Sequence, residues 1–403
     1  MREIDSGYAW FRLAISVVLS AVGGVGMWSV VVSLPAVQLE FGVARGEASL
    51  PFTLTTIGFG VGGVLMGRVS DRFGIVVPVL IGAGALGLGY VLAALAGGLW
   101  QFALAYGLLI GTLGSAATFV PLMADISRWF ERRRGIAVAL CASGNYIAGT
   151  VWPPLVDYLI GTIGWRSAHV TIGALCVLVM VPLALLLRAP APIRPAHTAA
   201  LVSRFPRVVG LAPSTLQLLL AIAGLACCVA MSMPQVHIVA YCGDLGYGVA
   251  NGARMLSLMM GFGIVSRVAS GFIADKVGGM MTLAMGSAAQ MTALALYLTS
   301  DGLVSLYVIS AMFGLFQGGL VPSYAIVIRE NFPASEAGTR VGLVMMMTLL
   351  GMALGGWMSG EIFDLTGSYR AAFANGVAWN ALNLAIAVFL LSRRRGRSVV
   401  KAA

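Results

Sequence analysis

The sequence predicts an all-α membrane protein with twelve transmembrane helices in two six-helix halves. Three observations carry this: a chain almost empty of charge, a series of uncharged stretches long enough to cross a bilayer, and a pattern in the first half that returns in the second. Of 403 residues, 59% are hydrophobic and 10% charged, whereas soluble domains hold about 45–50% and about 25%. The net charge of +10 does not indicate a nucleic-acid partner, because such proteins cluster basic residues on a solvated face and few solvated segments exist here. The implied partner is the lipid bilayer.

The uncharged stretches give the elements in order. After the polar segment Met1 to Arg12, residues 13–39 form 27 uncharged positions, too many for the apolar part of a signal peptide, so this segment is expected to stay as the first span. Residues 48–67 give the second. Residues 73–124 are 52 uncharged positions with Gly97-Gly98 near the middle, read as two helices and a tight turn. Single spans follow at 135–156, 167–187, 208–243, 277–300, 302–328, 341–360 and 371–392. The remaining span, 252–274, is apolar except for Arg254 near its start and Arg267 inside it. About 20 apolar residues suffice to cross, and the 52 glycines suit close helix packing in lipid.

Basic residues fix the orientation. With both termini cytoplasmic, 20 of the 25 Lys and Arg fall on the cytoplasmic side, Arg45, Arg166, Arg254 and Arg370 fall outside, and Arg267 lies within a span. Acidic residues divide eight to seven, as expected of a positive-inside pattern. The implied location is the cell inner membrane.

The repeat defines the halves. Gly67-Arg-Val-Ser-Asp71-Arg72-Phe-Gly74 is matched by Gly271-Phe-Ile-Ala-Asp275-Lys276-Val-Gly278 at an offset of 271 − 67 = 204, and Trp165-Arg166 is matched by Tyr369-Arg370 at the same offset. The expected division is 1–188, a cytoplasmic linker at 189–212 containing Pro190, Pro192, Pro195 and Pro206, and 213–403. Parallel six-helix repeats are a plan of secondary transporters that work by alternating access.

The paired G-x-x-x-D-[RK]-x-G loops resemble those of the major facilitator superfamily. Each places a carboxylate and a cation at a helix junction, so Asp71, Arg72, Asp275 and Lys276 are expected either to hold one conformational state or to anchor the loops at the lipid surface. Asp5-Ser6-Gly7-Tyr8-Ala9-Trp10 resembles the D-G-G-W-G-W element of monocarboxylate transporters, and Trp129-Phe130-Glu131-Arg132-Arg133-Arg134 with Ala137 resembles that family's aromatic-Phe-x-x-Arg-Arg-x-x-Ala pattern. Gly263-Ile-Val-Ser-Arg267-Val-Ala-Ser-Gly271 is similar to the arginine-bearing helix 8 of those carriers and of oxalate:formate antiporters.

Arg267 also stands out on physical grounds. A cation at a helix centre costs about 2.5–3.5 kcal/mol on insertion scales and normally faces a partner or a water-filled cavity. Gly263, Ser270 and Gly271 give its side of the helix a small, polar face, while Val265, Val268 and Phe272 cover other faces. No span carries a carboxylate near its middle, so a solute carboxylate, gripped in two places by the planar guanidinium, is one reading; a structural hydrogen-bonded arginine is the other. The span 341–360 has no lysine where the oxalate antiporters carry a second cation, which argues for one carboxylate. Gly263 stands where animal monocarboxylate transporters carry an acidic residue.

The resemblance implies solute-facing residues on several helices, and Trp28, Thr118, Asn145, Tyr146 and Tyr324 are the polar candidates. His237 is a candidate for proton coupling or a satisfied structural histidine. The five cysteines and the methionines at 345, 346, 347 and 352 are read as packing, with no metal site and no cofactor. No nucleophile and base, phosphate loop or output domain argues for an enzyme or receptor. The resemblance implies a monomeric secondary active transporter of a small monocarboxylate, lactate- or pyruvate-like or aromatic, coupled to protons; anion exchange or efflux of another small organic compound is the alternative.

Overall fold

The computed structural model describes residues 4–189 and 211–400. Among them, eleven helical runs are long and apolar enough to cross a membrane. The longest, Arg134–Leu186, is broken at Gly164, where φ is 76° and ψ 157°. A side chain rarely adopts that backbone, and glycine adopts it freely. The break makes two helices, and twelve in all among the described residues.

These are α1 (Gly7–Phe41), α2 (Arg45–Phe73), α3 (Val76–Ala94), α4 (Leu99–Trp129), α5 (134–163), α6 (165–186), α7 (Pro213–Asp244), α8 (Val249–Val277), α9 (Gly279–Thr299), α10 (Leu303–Asn331), α11 (Glu336–Thr366) and α12 (Tyr369–Arg393). Most outlast the uncharged stretches. At 1.5 Å per residue the 29 residues of α8 reach about 44 Å, more than the hydrocarbon core of about 30 Å. The excess includes charged residues near the ends of α8, Arg254 and Lys276. The linker expected at 189–212 lies outside the described residues apart from Ala189, Leu211 and Ala212.

The chain forms two compact units. The first comprises the described residues of Met1–His197 with Ile238–Ser257, and the second those of Thr198–His237 with Leu258–Ala403. The end of α7 and the start of α8 therefore belong to the first unit. There Asp244 pairs with Arg45 at 3.2 Å, and the Ser257 hydroxyl donates to the Thr150 carbonyl.

Glycines set the packing inside each unit. In the first, α2 meets α4 so closely that a methyl at Gly58 or Gly62 would fall on the carbonyl of Gly107 or Thr112. In the second, Gly314 and Gly318 of α10 lie in the same way on the carbonyls of Met259 and Gly263 in α8. In lipid such backbone contact is a main source of association. Gly62→Ala is accordingly expected to cost about 1–3 kcal/mol through overpacking. Gly67→Ala, on the same helix with nothing within 4 Å of an added methyl, is the control. Thermal unfolding of both purified variants in detergent checks this, and equal midpoints would contradict it.

The repeat persists at the level of side chains, with altered chemistry. In the first unit the Ser29 hydroxyl bonds Tyr90 at 2.7 Å and Tyr106 at 3.1 Å, and Tyr106 bonds His169 Nε2 at 2.8 Å. His169 Nδ1 lies 2.7 Å from the Trp165 carbonyl, so Nδ1 carries the proton and Nε2 accepts from Tyr106. The positions 204 residues after Tyr106 and His169 are Ser310 and Phe373. Here Tyr297 replaces the network: its hydroxyl bonds Ser310 at 2.8 Å and its ring stacks on Phe373 at 4.7 Å.

Candidate functional site

In the second unit the site is built on one face of α8. Val265, Val268 and Phe272 are 55%, 55% and 68% exposed, which marks the face that lipid would cover. On the opposite face Gly263, Ser266 and Ser270 lie against α10: a methyl at Gly318 would strike the Gly263 carbonyl, and one at Gly319 would strike Ser270. Arg267 is half-buried and follows Gly263 by four residues, about 40° around the helix, so its Cα lies on the α10 side.

Beside it α10 is broken. Its first segment is Leu303–Gln317, its second Leu320–Asn331, and Gly318-Gly319 between them form a turn that departs from the regular helical hydrogen bonding while keeping right-handed φ/ψ. The Gly319 N–H, freed by the break, donates to Ser266 Oγ at 3.2 Å. Broken helices in membranes expose backbone dipoles and are common where solutes bind. Two buried amides lie at this level. Gln235 of α7, directly after the helix-interior Pro234, donates through Nε2 to Gln317 Oε1 at 2.7 Å.

His237 and Tyr324 are engaged in the same unit. His237 Nε2 donates to the Gly356 carbonyl of α11 at 2.8 Å, and Nδ1 lies 3.3 Å from the Tyr369 hydroxyl of α12. Both ring nitrogens thus hold helices together. Tyr324 donates to Asn383 Oδ1 at 2.7 Å, and Asn383 and Asn380 donate in turn to Ser287, which ties α10, α12 and α9.

In the first unit Trp28 and Asn145 come together: Trp28 Nε1 donates to the Asn145 carbonyl at 3.3 Å. Trp152 of α5 returns the bond to Ala21 of α1 at 2.9 Å. The Asn145 side chain lies against Gly24, and its Oδ1 is buried with no partner among the described residues. Tyr146 is half-buried. Thr118 donates to the Ser115 carbonyl at 2.9 Å and fills the space left by Gly23. It ends an irregular stretch of α4, wide-turned over Ala105–Gly114 and tight over Ser115–Thr118. Gly114 and Gly318 are 318 − 114 = 204 residues apart, so both halves interrupt the same helix at the same place.

The two G-x-x-x-D-[RK]-x-G loops differ in their contacts. Asp71 pairs with Arg128 of α4 at 3.0 Å, exposed on both sides, and Arg72 lies 5.2 Å from the Phe73 ring. Asp275 and Lys276 are exposed and form no ion pair among the described residues. The start of α9 is instead held by Glu330, which accepts from the Gly279 N–H at 2.8 Å. Gly74 and Gly278, ending the two motifs, share left-handed φ values of 78° and 84°. A further ion pair is buried: Arg12 Nε and Nη2 donate to Asp125 at 2.7 and 3.0 Å, with the Arg12 guanidinium 4.7 Å from the Trp129 ring. No group of three or more His, Cys, Asp or Glu residues able to hold a metal occurs among the described residues.

The sequence model of the Major Facilitator Superfamily matches residues 16–305 and 291–403. Among curated proteins, the chain is 30% identical over 380 residues to monocarboxylate transporter 13 of Rattus norvegicus, covering 92% of this chain and 86% of that one. It is 27% identical over 386 residues to monocarboxylate transporter 11 of Homo sapiens, covering 92% and 80%. Among solved structures, a bacterial homolog of the human lysosomal transporter Spinster superposes with a TM-score of 0.74 at 15% identity, covering 97% of this chain and 98% of that one. That likeness concerns the fold. The chain is a multi-pass membrane transporter, not an enzyme, and belongs to the major facilitator superfamily, where it is related to the monocarboxylate transporters.

Proposed function

We propose that the protein is a secondary carrier for a small monocarboxylate, lactate- or pyruvate-like or aromatic, working as a monomer by alternating access. It would sit in the cell inner membrane with both termini cytoplasmic and with halves 1–188 and 213–403 joined by the linker. The observation that carries the reading is the place of Arg267, on the α8 face that meets the broken part of α10. A guanidinium beside the irregular Gly318-Gly319 turn of α10 suits a carboxylate better than any neutral solute. The names of the relatives support the same solute class. Asp71-Arg72 and Asp275-Lys276 would set the stability of one conformational state.

Proton symport is the coupling mode we propose. Moving a lone anion into a negative-inside cell costs about 2.3 kcal/mol per 100 mV, and one accompanying proton cancels that charge. His237 favours a second reading, anion exchange, because both its ring nitrogens are engaged in helix contacts. Uptake of labelled short and aromatic monocarboxylates into proteoliposomes, with and without an inward proton gradient, tests both. Accumulation driven by the gradient is expected. Flux that ignores the gradient and needs an internal anion would replace symport with exchange, and flux of neutral solutes alone would overturn the carboxylate reading.

A further inference from the structure

Two side chains buried in the second unit have hydrogen-bonding capacity they do not use. Gln235 and Gln317 are 3% and 0% exposed, and their amides share one bond, Gln235 Nε2 to Gln317 Oε1 at 2.7 Å. Gln235 Oε1 and Gln317 Nε2 find no partner among the described residues. Exchanging O and N in both amides would reverse the shared bond and still leave one acceptor and one donor unspent. Each such group left unpaired in an apolar interior carries an uncompensated desolvation cost. The pair therefore needs a reason beyond joining α7 to α10, which two leucines could do.

Their position supplies one. Gln317 is the last helical residue before the Gly318-Gly319 break, and Gln235 follows Pro234, whose missing N–H interrupts α7. Gly318 lies on Gly263 and Ser266, and Gly319 bonds Ser266, the residue before Arg267. The amide pair thus sits at the level of the cation, where both supporting helices can bend to admit a solute.

We infer that Gln235 and Gln317 are a specificity-determining pair that reads a hydroxyl group on the transported acid. The inference rests on the carboxylate reading of Arg267. A free donor and a free acceptor side by side match a hydroxyl, which accepts from Gln317 and donates to Gln235. A methylene in that place satisfies neither. Sites built this way discriminate strongly against analogues that lack the group, because the site's own polar atoms stay unpaired.

The test compares uptake of propionate with that of its 2-hydroxy and 3-hydroxy derivatives in proteoliposomes. Two hydrogen bonds at about 0.5–1.5 kcal/mol each predict a preference in kcat/KM of about five- to a hundredfold for at least one hydroxy acid. Gln317→Met and Gln235→Met should each reduce the preference, and the double variant should bring it within about twofold, with the loss falling on the hydroxy acids and not on propionate. Retained propionate uptake also shows that the variants fold. Equal loss of all three acids would mean the pair is structural, and a wild type without preference needs no variant to overturn the inference. If the wild type moves none of these acids or any other carboxylate, the reading of Arg267 fails as well, and that outcome is separable from the others.

Discussion

Arg267→Ala should lower carboxylate uptake at least about a hundredfold while leaving membrane insertion intact. A two-point guanidinium–carboxylate contact makes two charge-assisted hydrogen bonds, each about 1.5–3 kcal/mol, and about 1.4 kcal/mol is a factor of ten. Even the lower end exceeds two orders of magnitude. Insertion should survive because the substitution removes a costly cation from a span. Arg267→Lys separates charge from shape: it keeps the cation and loses the planar fork, so partial activity with a raised KM is expected. Initial uptake rates, normalised to reconstituted protein, give the comparison. If Arg267 instead serves the fold, both variants should unfold earlier and the residual uptake per folded molecule should match wild type.

The second large effect concerns stability. Arg12 and Asp125 are an ion pair with 1% and 7% of their side chains exposed. Arg12 also donates to the Ala189 carbonyl at 3.2 Å and lies over Trp129. Removing one member of a buried pair leaves an uncompensated charge and typically costs about 3–5 kcal/mol, whereas replacing both by apolar residues is often neutral. Arg12→Leu should therefore unfold at markedly lower temperature in detergent, and Arg12→Leu with Asp125→Leu should recover most of the loss. A double variant as unstable as the sum of the singles would contradict the pairing. The neighbouring Asp5 extends the arrangement, since its carboxylate accepts from the backbone N–H groups of Glu131 and Arg132. Together these bonds dock the start of α1 on the loop between α4 and α5.

The architecture was legible because its causes are one-dimensional. Hydrophobic length marks a span without any tertiary information. The return of Gly67-to-Gly74 as Gly271-to-Gly278 needs only the sequence, and the two loops end on the same left-handed glycine geometry. The face of Arg267 was legible too, because helical periodicity puts Gly263 and Ser270 on one side and Val265, Val268 and Phe272 on the other.

What distant contacts decide was hidden. Arg12 counts in the sequence as one more cytoplasmic cation, and only the fold brings it onto Asp125, 113 residues away. Trp28, Thr118, Tyr324 and His237 were candidates because they are polar residues in spans, and their hydroxyl or ring N–H groups bond other parts of their own unit. Gln235 and Gln317 are uncharged and do not interrupt an apolar stretch, so counting charges passes over them. The run Gln317-Gly318-Gly319 held a usable signal, an amide directly before a glycine pair in the middle of a span. The irregular turns of α4 were less visible, since its glycines alone do not distinguish a break from close packing.

Binding needs no assumption about coupling or direction, so calorimetric titration of the purified protein tests the central claim most directly. Propionate and its amide would be titrated into wild type and into Arg267→Ala in the same detergent. The acid is expected to bind wild type, its neutral amide is not, and Arg267→Ala is expected to bind neither. Equal affinity of the acid for wild type and Arg267→Ala would contradict it.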